Sequence, residues 1–326
     1  IVFLMPLFKL IHKFKNKVAL TSELSGPITY TQLLKYASDI NKDIPKKSLI
    51  FLISQNSVAS IICYVSAIIN NKTIMLIDNK TNKENIFRLL KLYKPSFIMA
   101  PKSWLELSKY NGLKVVKKFF EYSICKTKNS KLFDIDPNLN LLLPTSGSLG
   151  SPKFVRLSKK NLKSNSNSII KYLNIKSKDV TITTMPFSYS YMLSIINTFL
   201  ESGACVVACQ HSLIEKKFWS QFKKNKITSL SGVPYIYEMF IKLGLEKIYI
   251  SSLKTLTQAG GKLNDDLIKK MIEFSKSKKI NFYTMYGQTE ASPRMSFLNY
   301  LDAEKKIGSI GKAIPNTKMW LEDEKG

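Results

Sequence analysis

The sequence predicts an α/β fold with mostly parallel sheets, and two observations carry that prediction. Short apolar runs of strand length alternate with stretches of helical periodicity from Ile28 almost to the C-terminus, and no repeat or low-complexity linker interrupts them. Such alternation lays strands side by side through right-handed crossovers. At 326 residues and 44% hydrophobic, the chain can bury more than one core.

Each element has its own signal. Between Ile28 and Lys42, Leu33, Leu34, Ala37 and Ile40 fall at helical spacing behind a possible cap at Thr29 or Thr31. Strands are expected near Leu49 to Ile53, Thr73 to Ile77 and Ser96 to Ala100, with helices at Ser57 to Ile69 and Asn85 to Tyr93 between them. From Trp104 to Asp136 lysines alternate with aromatics, a pattern that fits a strand or a surface helix equally. Further on, helical patterns at Ser158 to Leu173, Ser190 to Leu200, Trp219 to Lys224 and Pro234 to Leu243 alternate with strand patterns at Val180 to Met185, Ala204 to Cys209 and Ile227 to Leu230.

Composition narrows the function. Fifty Lys and Arg against 23 Asp and Glu give a formal charge of +27, which favours anionic partners such as nucleotides, anionic lipid or acidic carrier proteins. The only arginines are Arg88, Arg156 and Arg294, and the lysines are scattered. Sequence readers of nucleic acid favour clustered arginine, so no specific nucleic acid is expected. Cys63, Cys125, Cys205 and Cys209 lack CxxC spacing, and His12 and His211 are the only histidines, which argues against structural zinc and against a Ser-His-Asp or Cys-His hydrolase. Reduced thiols, no small-residue cleavage site after the N-terminal apolar run, and an apolar stretch at Ile61 to Ile69 too short to span a bilayer indicate a cytoplasmic protein without a transmembrane segment.

Three stretches carry chemistry. LLLPTSGSLGSPKFVRL, Leu141 to Leu157, reads as strand, loop and strand. Thr145, Ser146 and Ser148 offer hydroxyls, Gly147 and Gly150 let backbone N–H groups approach an anion, and Lys153 adds a point charge. The same composition suits a polar hairpin turn, and no Walker A lysine follows the glycines. In LTQAGGKL, Gly260 and Gly261 end an apolar strand before a helix from Asp265, where a flat ring could approach the backbone or the chain could simply turn. In FYTMYGQTEAS, Tyr286 could stack on a base, Thr289 could donate to a phosphate oxygen and Glu290 could hold Mg²⁺, with Gly287 between them.

Together and in this order, TSGSLGSPK, the paired glycines and YGQTE resemble the signature of the adenylate-forming enzymes, which include acyl-CoA synthetases and adenylation domains. MPFSYSYMLSIINTFLESGACVV, LSGVPYIYEMF and GSIGKAIPN are similar to further segments of that family, so the resemblance runs over roughly residues 25 to 326. One departure is Leu149, where the family usually has a hydroxyl residue. The resemblance implies a layered αβαβα core of two mostly parallel sheets with a small β region toward the C-terminus, divided into subdomains 1–140 and 141–326.

It also implies the reaction: ATP and a carboxylic acid give an acyl-adenylate and pyrophosphate, and a thiol of CoA or of phosphopantetheine on an acidic acyl carrier protein takes the acyl group. ATP and Mg²⁺ are the implied cofactors. Lys153, Thr289 and Glu290 would be catalytic, with Glu290 on the metal. Thr145, Ser146, Gly147, Ser148, Gly150, Lys153, Gly260, Gly261, Tyr286, Gly287 and Thr289 would hold the nucleotide, and Tyr189, Ser190, Gly232 and Val233 the acid. Amino-acid-activating relatives place an Asp where this chain has Ser188, so recognition through an α-amine is not expected. A nucleotide-binding relative without turnover is the alternative. The family's small mobile domain has no counterpart before Gly326, and Ile310, Ile314, Met319 and Trp320 are expected to be exposed for want of it.

Overall fold

The structure, a computed structural model, describes residues 6–104, 112–128, 134–145, 153–244 and 250–323. Ser146, Gly147, Ser148 and Gly150 of the candidate phosphate loop lie outside the described residues.

Two sheets form the frame. The seven-stranded sheet runs in the order β6 (Lys114–Phe119), β7 (Tyr122–Lys126), β5 (Phe97–Pro101), β3 (Leu49–Ser54), β4 (Thr73–Asp78), β8 (Leu139–Pro144), β9 (Phe154–Ser158). The nine-stranded sheet runs β16 (Lys312–Ala313), β15 (Arg294–Leu298), β14 (Asn281–Gly287), β13 (Thr255–Gln258), β12 (Ser229–Gly232), β10 (Val180–Ile182), β11 (Cys205–Val207), β1 (Val18–Thr21), β2 (Ile28–Thr29). Both are parallel at their centres and antiparallel at their edges. The β region near the C-terminus is β15 and β16, which extend the nine-stranded sheet.

Side-chain alternation sorts the layers. Ile50 and Leu52 of β3 face a central core, while Leu49, Phe51 and Ile53 face away, against α3 (Lys83–Tyr93). The central core also holds side chains of α1 (Tyr30–Asn41), α2 (Val58–Ile69), α4 (Lys159–Leu173) and α5 (Ser190–Glu201), together with Val206, Tyr283, Met285 and Phe297 of the nine-stranded sheet. On that sheet's other face, Leu230, Leu256 and Phe282 pack on α6 (Lys216–Lys224), α7 (Pro234–Leu243) and α8 (Asp265–Ser277). Helices, sheet, helices, sheet and helix therefore stack in five layers, the expected αβαβα arrangement. Helix α2 lies between the two sheets and is buried on nearly every side, which is why its sequence, VASIICYVSAII, is apolar all round.

Local signals set the ends of these elements. Thr29 caps α1 by accepting from Gln32 N–H at 3.2 Å, and the Gln32 side chain accepts from Thr29 N–H at 2.8 Å. Ser158 and Asn161 cap α4 with the same reciprocal pair, and Ser57 caps α2 by accepting from Ser60 N–H alone. The ambiguous lysine-rich stretch contains the hairpin of β6 and β7 at a sheet edge, where lysines blunt an exposed ladder. Two buried ties join the central helices: Tyr64 Oη donates to Asn197 Oδ1 at 3.0 Å, and Lys163 pairs with Glu201.

One surface expectation is corrected. Ile310, Met319 and Trp320 are exposed, but Ile314 is buried at 3% exposure. Its N–H donates to Met295 O just after β16, which carries the side chain into the central core. Among the described residues no helix is long and apolar enough to cross a membrane.

Candidate active site

Strands β12, β13 and β14 are mutually parallel, so the turns that follow them open on one edge of the sheet, where open α/β sheets present ligands. A cavity of about 820 Å³ lies there. Of the residues proposed from sequence, Thr145, Tyr189, Ser190, Gly260, Gly261, Tyr286, Gly287, Thr289 and Glu290 line it.

Backbone geometry explains the glycines. Gly260 has φ +84°, and a methyl group there would lie 3.0 Å from Val233 Cγ1 and closer still to the Tyr189 hydroxyl. The turn is closed by Gln258, whose Nε2 donates to Gly261 O at 2.7 Å. A methyl on Gly287 would overlap the carbonyl oxygen of Pro293, so the crossing from β14 to β15 requires glycine. Tyr286, 42% exposed at the end of β14, presents a ring to the cavity.

The hydroxyls converge from two elements. Ser190 at the start of α5 brings Oγ to 3.0 Å from Thr289 Oγ1, and Glu290 follows with its side chain exposed and in no ion pair among the described residues. Burial pushes the Tyr191 phenol up to about 12, against the lowering field of Arg294, so it stays protonated and donates to Thr257 O at 2.8 Å. Tyr189 is raised by the same cause.

Lys153, Gly232 and Val233 stand outside the cavity lining. Lys153 O accepts from Thr145 N–H at 3.0 Å, at the base of the hairpin that β8 and β9 make, as strand, loop and strand require. Gly232 ends β12, and Val233 caps α7 behind Gly260. Ser188 Oγ donates to Asp78 Oδ2 at 3.0 Å, across to the other sheet. Three other lining residues had no role assigned from sequence: Lys262 and Thr284, which lie inside the glycine and aromatic stretches, and Arg294, which lies outside them. Thr284 Oγ1 and Arg294 Nε are buried without a hydrogen-bond partner among the described residues, polar atoms left over for a ligand or water.

A cavity with an accessible aromatic ring, a glycine turn, paired hydroxyls and an exposed carboxylate at the edge of a parallel sheet places this chain among the α/β proteins that present a ligand site at the ends of their strands. More narrowly, the chain belongs to the AMP-binding enzyme family, whose profile matches residues 7–326. It is 24% identical over 289 residues to a 2-succinylbenzoate–CoA ligase of Enterococcus faecalis, covering 86% of this chain and 57% of that protein. With the acyl-CoA ligase sidI of Aspergillus fumigatus it shares 27% identity over 185 residues, 56% of this chain and 31% of the relative. In fold it matches the O-succinylbenzoate coenzyme A synthetase of Bacillus subtilis in complex with AMP, with a TM-score of 0.78 at 16% identity over 98% of this chain and 66% of that one. The chain thus spans less than two thirds of the length of each of these three relatives.

Proposed function

We propose that this chain is the nucleotide-binding core of an AMP-forming acid–thiol ligase. The carrying observation is the meeting of Tyr286, Gly260, Gly261, Thr289, Ser190 and Glu290 around one cavity. An oxygen of the acid's carboxylate attacks the α-phosphorus of ATP, the bond to the β-phosphate oxygen breaks, and pyrophosphate leaves. A thiolate then attacks the acyl carbon and AMP departs, giving a thioester. Nothing here needs a histidine triad; positioning and charge stabilisation suffice.

Each residue has a role in that scheme. Tyr286 and the Gly260–Gly261 turn bracket the adenine, and Thr289 donates to an α-phosphate oxygen. Glu290, free and acidic, is the residue suited to Mg²⁺, which when bound neutralises phosphate charge. Lys153 and the loop that includes Ser146, Gly147, Ser148 and Gly150 complete the phosphate cradle. Every described residue of the cavity lies within 141–326, which supports reading that part as the nucleotide-binding subdomain. CoA is the acceptor that the named relatives favour, and an acidic acyl carrier protein would be attracted by the charge of +27. The four cysteines are free, as a cytoplasmic setting keeps them.

Carboxylate-dependent exchange of pyrophosphate into ATP is the test. Thr289→Ala should lower the exchange rate about 10²- to 10³-fold, the usual cost of one preorganised donor. ATP binding without exchange for any acid would overturn this reading in favour of a binding protein.

A further inference from the structure

Arg294, at the start of β15, is a buried cation with no acid beside it among the described residues. It is 3% exposed, and every partner it has is neutral: Nη1 donates to Tyr172 Oη at 3.2 Å and Met285 Sδ at 2.7 Å, and Nη2 donates to Ser194 Oγ at 3.2 Å. The guanidinium carbon lies 4.3 Å from the centre of the Tyr191 ring. Nε is buried and bonds nothing among the described residues. Among those residues no carboxylate lies within 4.0 Å, and Glu290, the one acid lining the cavity, makes no ion pair.

A ring face and three neutral acceptors offset only part of the desolvation of a buried charge. A guanidinium has five N–H donors, of which three are used here. The remaining ones belong to Nε and Nη2, the edge on which arginine grips a carboxylate with two parallel bonds. Arg294 lines the cavity, so the missing anion can arrive with a ligand.

The position within the cavity says which anion. Ser190 meets Thr289 where the acyl-phosphate chemistry is assigned, and Ser194, which holds Arg294, is one turn further along α5. One turn is about 5.4 Å. The group that meets Arg294 is therefore set back from the reacting carboxylate by a few bonds.

We propose that the acid taken by this site is a dicarboxylate, or an acid with an equivalent second anion, whose non-reacting carboxylate pairs with Arg294. The proposal rests on the acid-activating function given above and names the substrate class for it. Arg294 is then the specificity determinant that rejects neutral acids, because a ligand lacking the anion leaves the charge unpaired.

The test compares α,ω-dicarboxylates from succinate to adipate with monocarboxylates of the same chain length, by calorimetric binding to the AMP-loaded protein and by pyrophosphate exchange. At least one diacid should bind about 10- to 100-fold more tightly than its monoacid partner, the range for a charged hydrogen-bonded contact. In Arg294→Met that ratio should fall to near one, and Arg294→Lys should recover part of it. A merely structural arginine would lower stability in Arg294→Met and leave the ratio unchanged, which overturns the proposal. Should the Met variant fail to fold, the wild-type comparison decides, since equal or better binding of every monoacid also refutes it. Monoacid-driven exchange would sink the substrate class and leave the ligase reading standing; loss of exchange with all acids would sink the ligase reading itself.

Discussion

Gly260→Ala tests the glycine turn at the cavity most directly, because the structure supplies both components of its cost. At φ +84° an L-residue carries a penalty of about 1 to 2 kcal/mol. The new methyl must also displace the Tyr189 hydroxyl and crowd Val233 Cγ1 at 3.0 Å, and overpacking of this kind costs about 1 to 3 kcal/mol. The expected loss in urea unfolding is therefore about 2 to 5 kcal/mol. Tyr189→Phe removes the atom nearest to that methyl, leaving Tyr189 Cζ at 3.5 Å. Combined in a double-mutant cycle, the two substitutions should show a favourable coupling of about 1 kcal/mol or more, with the backbone penalty unrelieved. Additivity within about 0.5 kcal/mol would mean that Tyr189 does not rest on this turn, and the cavity wall drawn here would be wrong.

Three further outcomes are expected. Glu290→Gln should raise the magnesium concentration needed for half-maximal exchange, since a neutral amide is a poorer ligand for a hard cation; an unchanged requirement removes Glu290 from the metal role. Glu201→Gln breaks the buried pair with Lys163, although its amide oxygen can still accept from Phe8 N–H, and should cost about 3 kcal/mol in chemical unfolding; a loss below about 1 kcal/mol would contradict a buried pair. His211 is held above its ordinary pKa by Glu215 foremost and by Glu23, so its contribution to stability is full below about pH 6.5 and drains away as pH rises through the folded-state value. An NMR titration of His211 should give a midpoint above 6.5, lowered more by Glu215→Gln than by Glu23→Gln, and a midpoint at or below 6.5 would refute the clamp.

Sequence revealed what is decided locally. The cap at Thr29, one of the two candidates, the apolar run of β3 and the proline that opens α7 each fix an element by its own residues, and each lies where expected. The glycine turn and YGQTE were legible because motif spacing encodes them, and the cavity brings both together. Partners far apart in the chain were not legible. Ile314 is buried because β16 pairs with β15, and no local pattern reports that pairing. Arg294 had no motif; its one signal was scarcity, an arginine four places after Glu290 in a chain where lysine supplies nearly all the positive charge.

Leu20 of β1 pairs with Val206 of β11, so the first described strand is an interior member of the nine-stranded sheet. During synthesis it must wait for its neighbour while the whole seven-stranded sheet is made in between. At the usual 5 to 20 residues per second that wait is on the order of ten seconds or more, against microseconds for a local hairpin. Val18, Ala19 and Leu20 meanwhile have only the two-residue strand β2 to pair with, which leaves the other edge of β1 open, the kind of apolar edge that chaperones hold and that aggregates when they do not. A fragment beginning at β3 would lack both β1 and β2, exposing the β11 edge as a template for foreign strands. The order in which the chain is written thus makes the seam between β1 and β11 a long-range one, closed only after the other sheet has been made, and slow closure of that kind lengthens the time an apolar edge stays open.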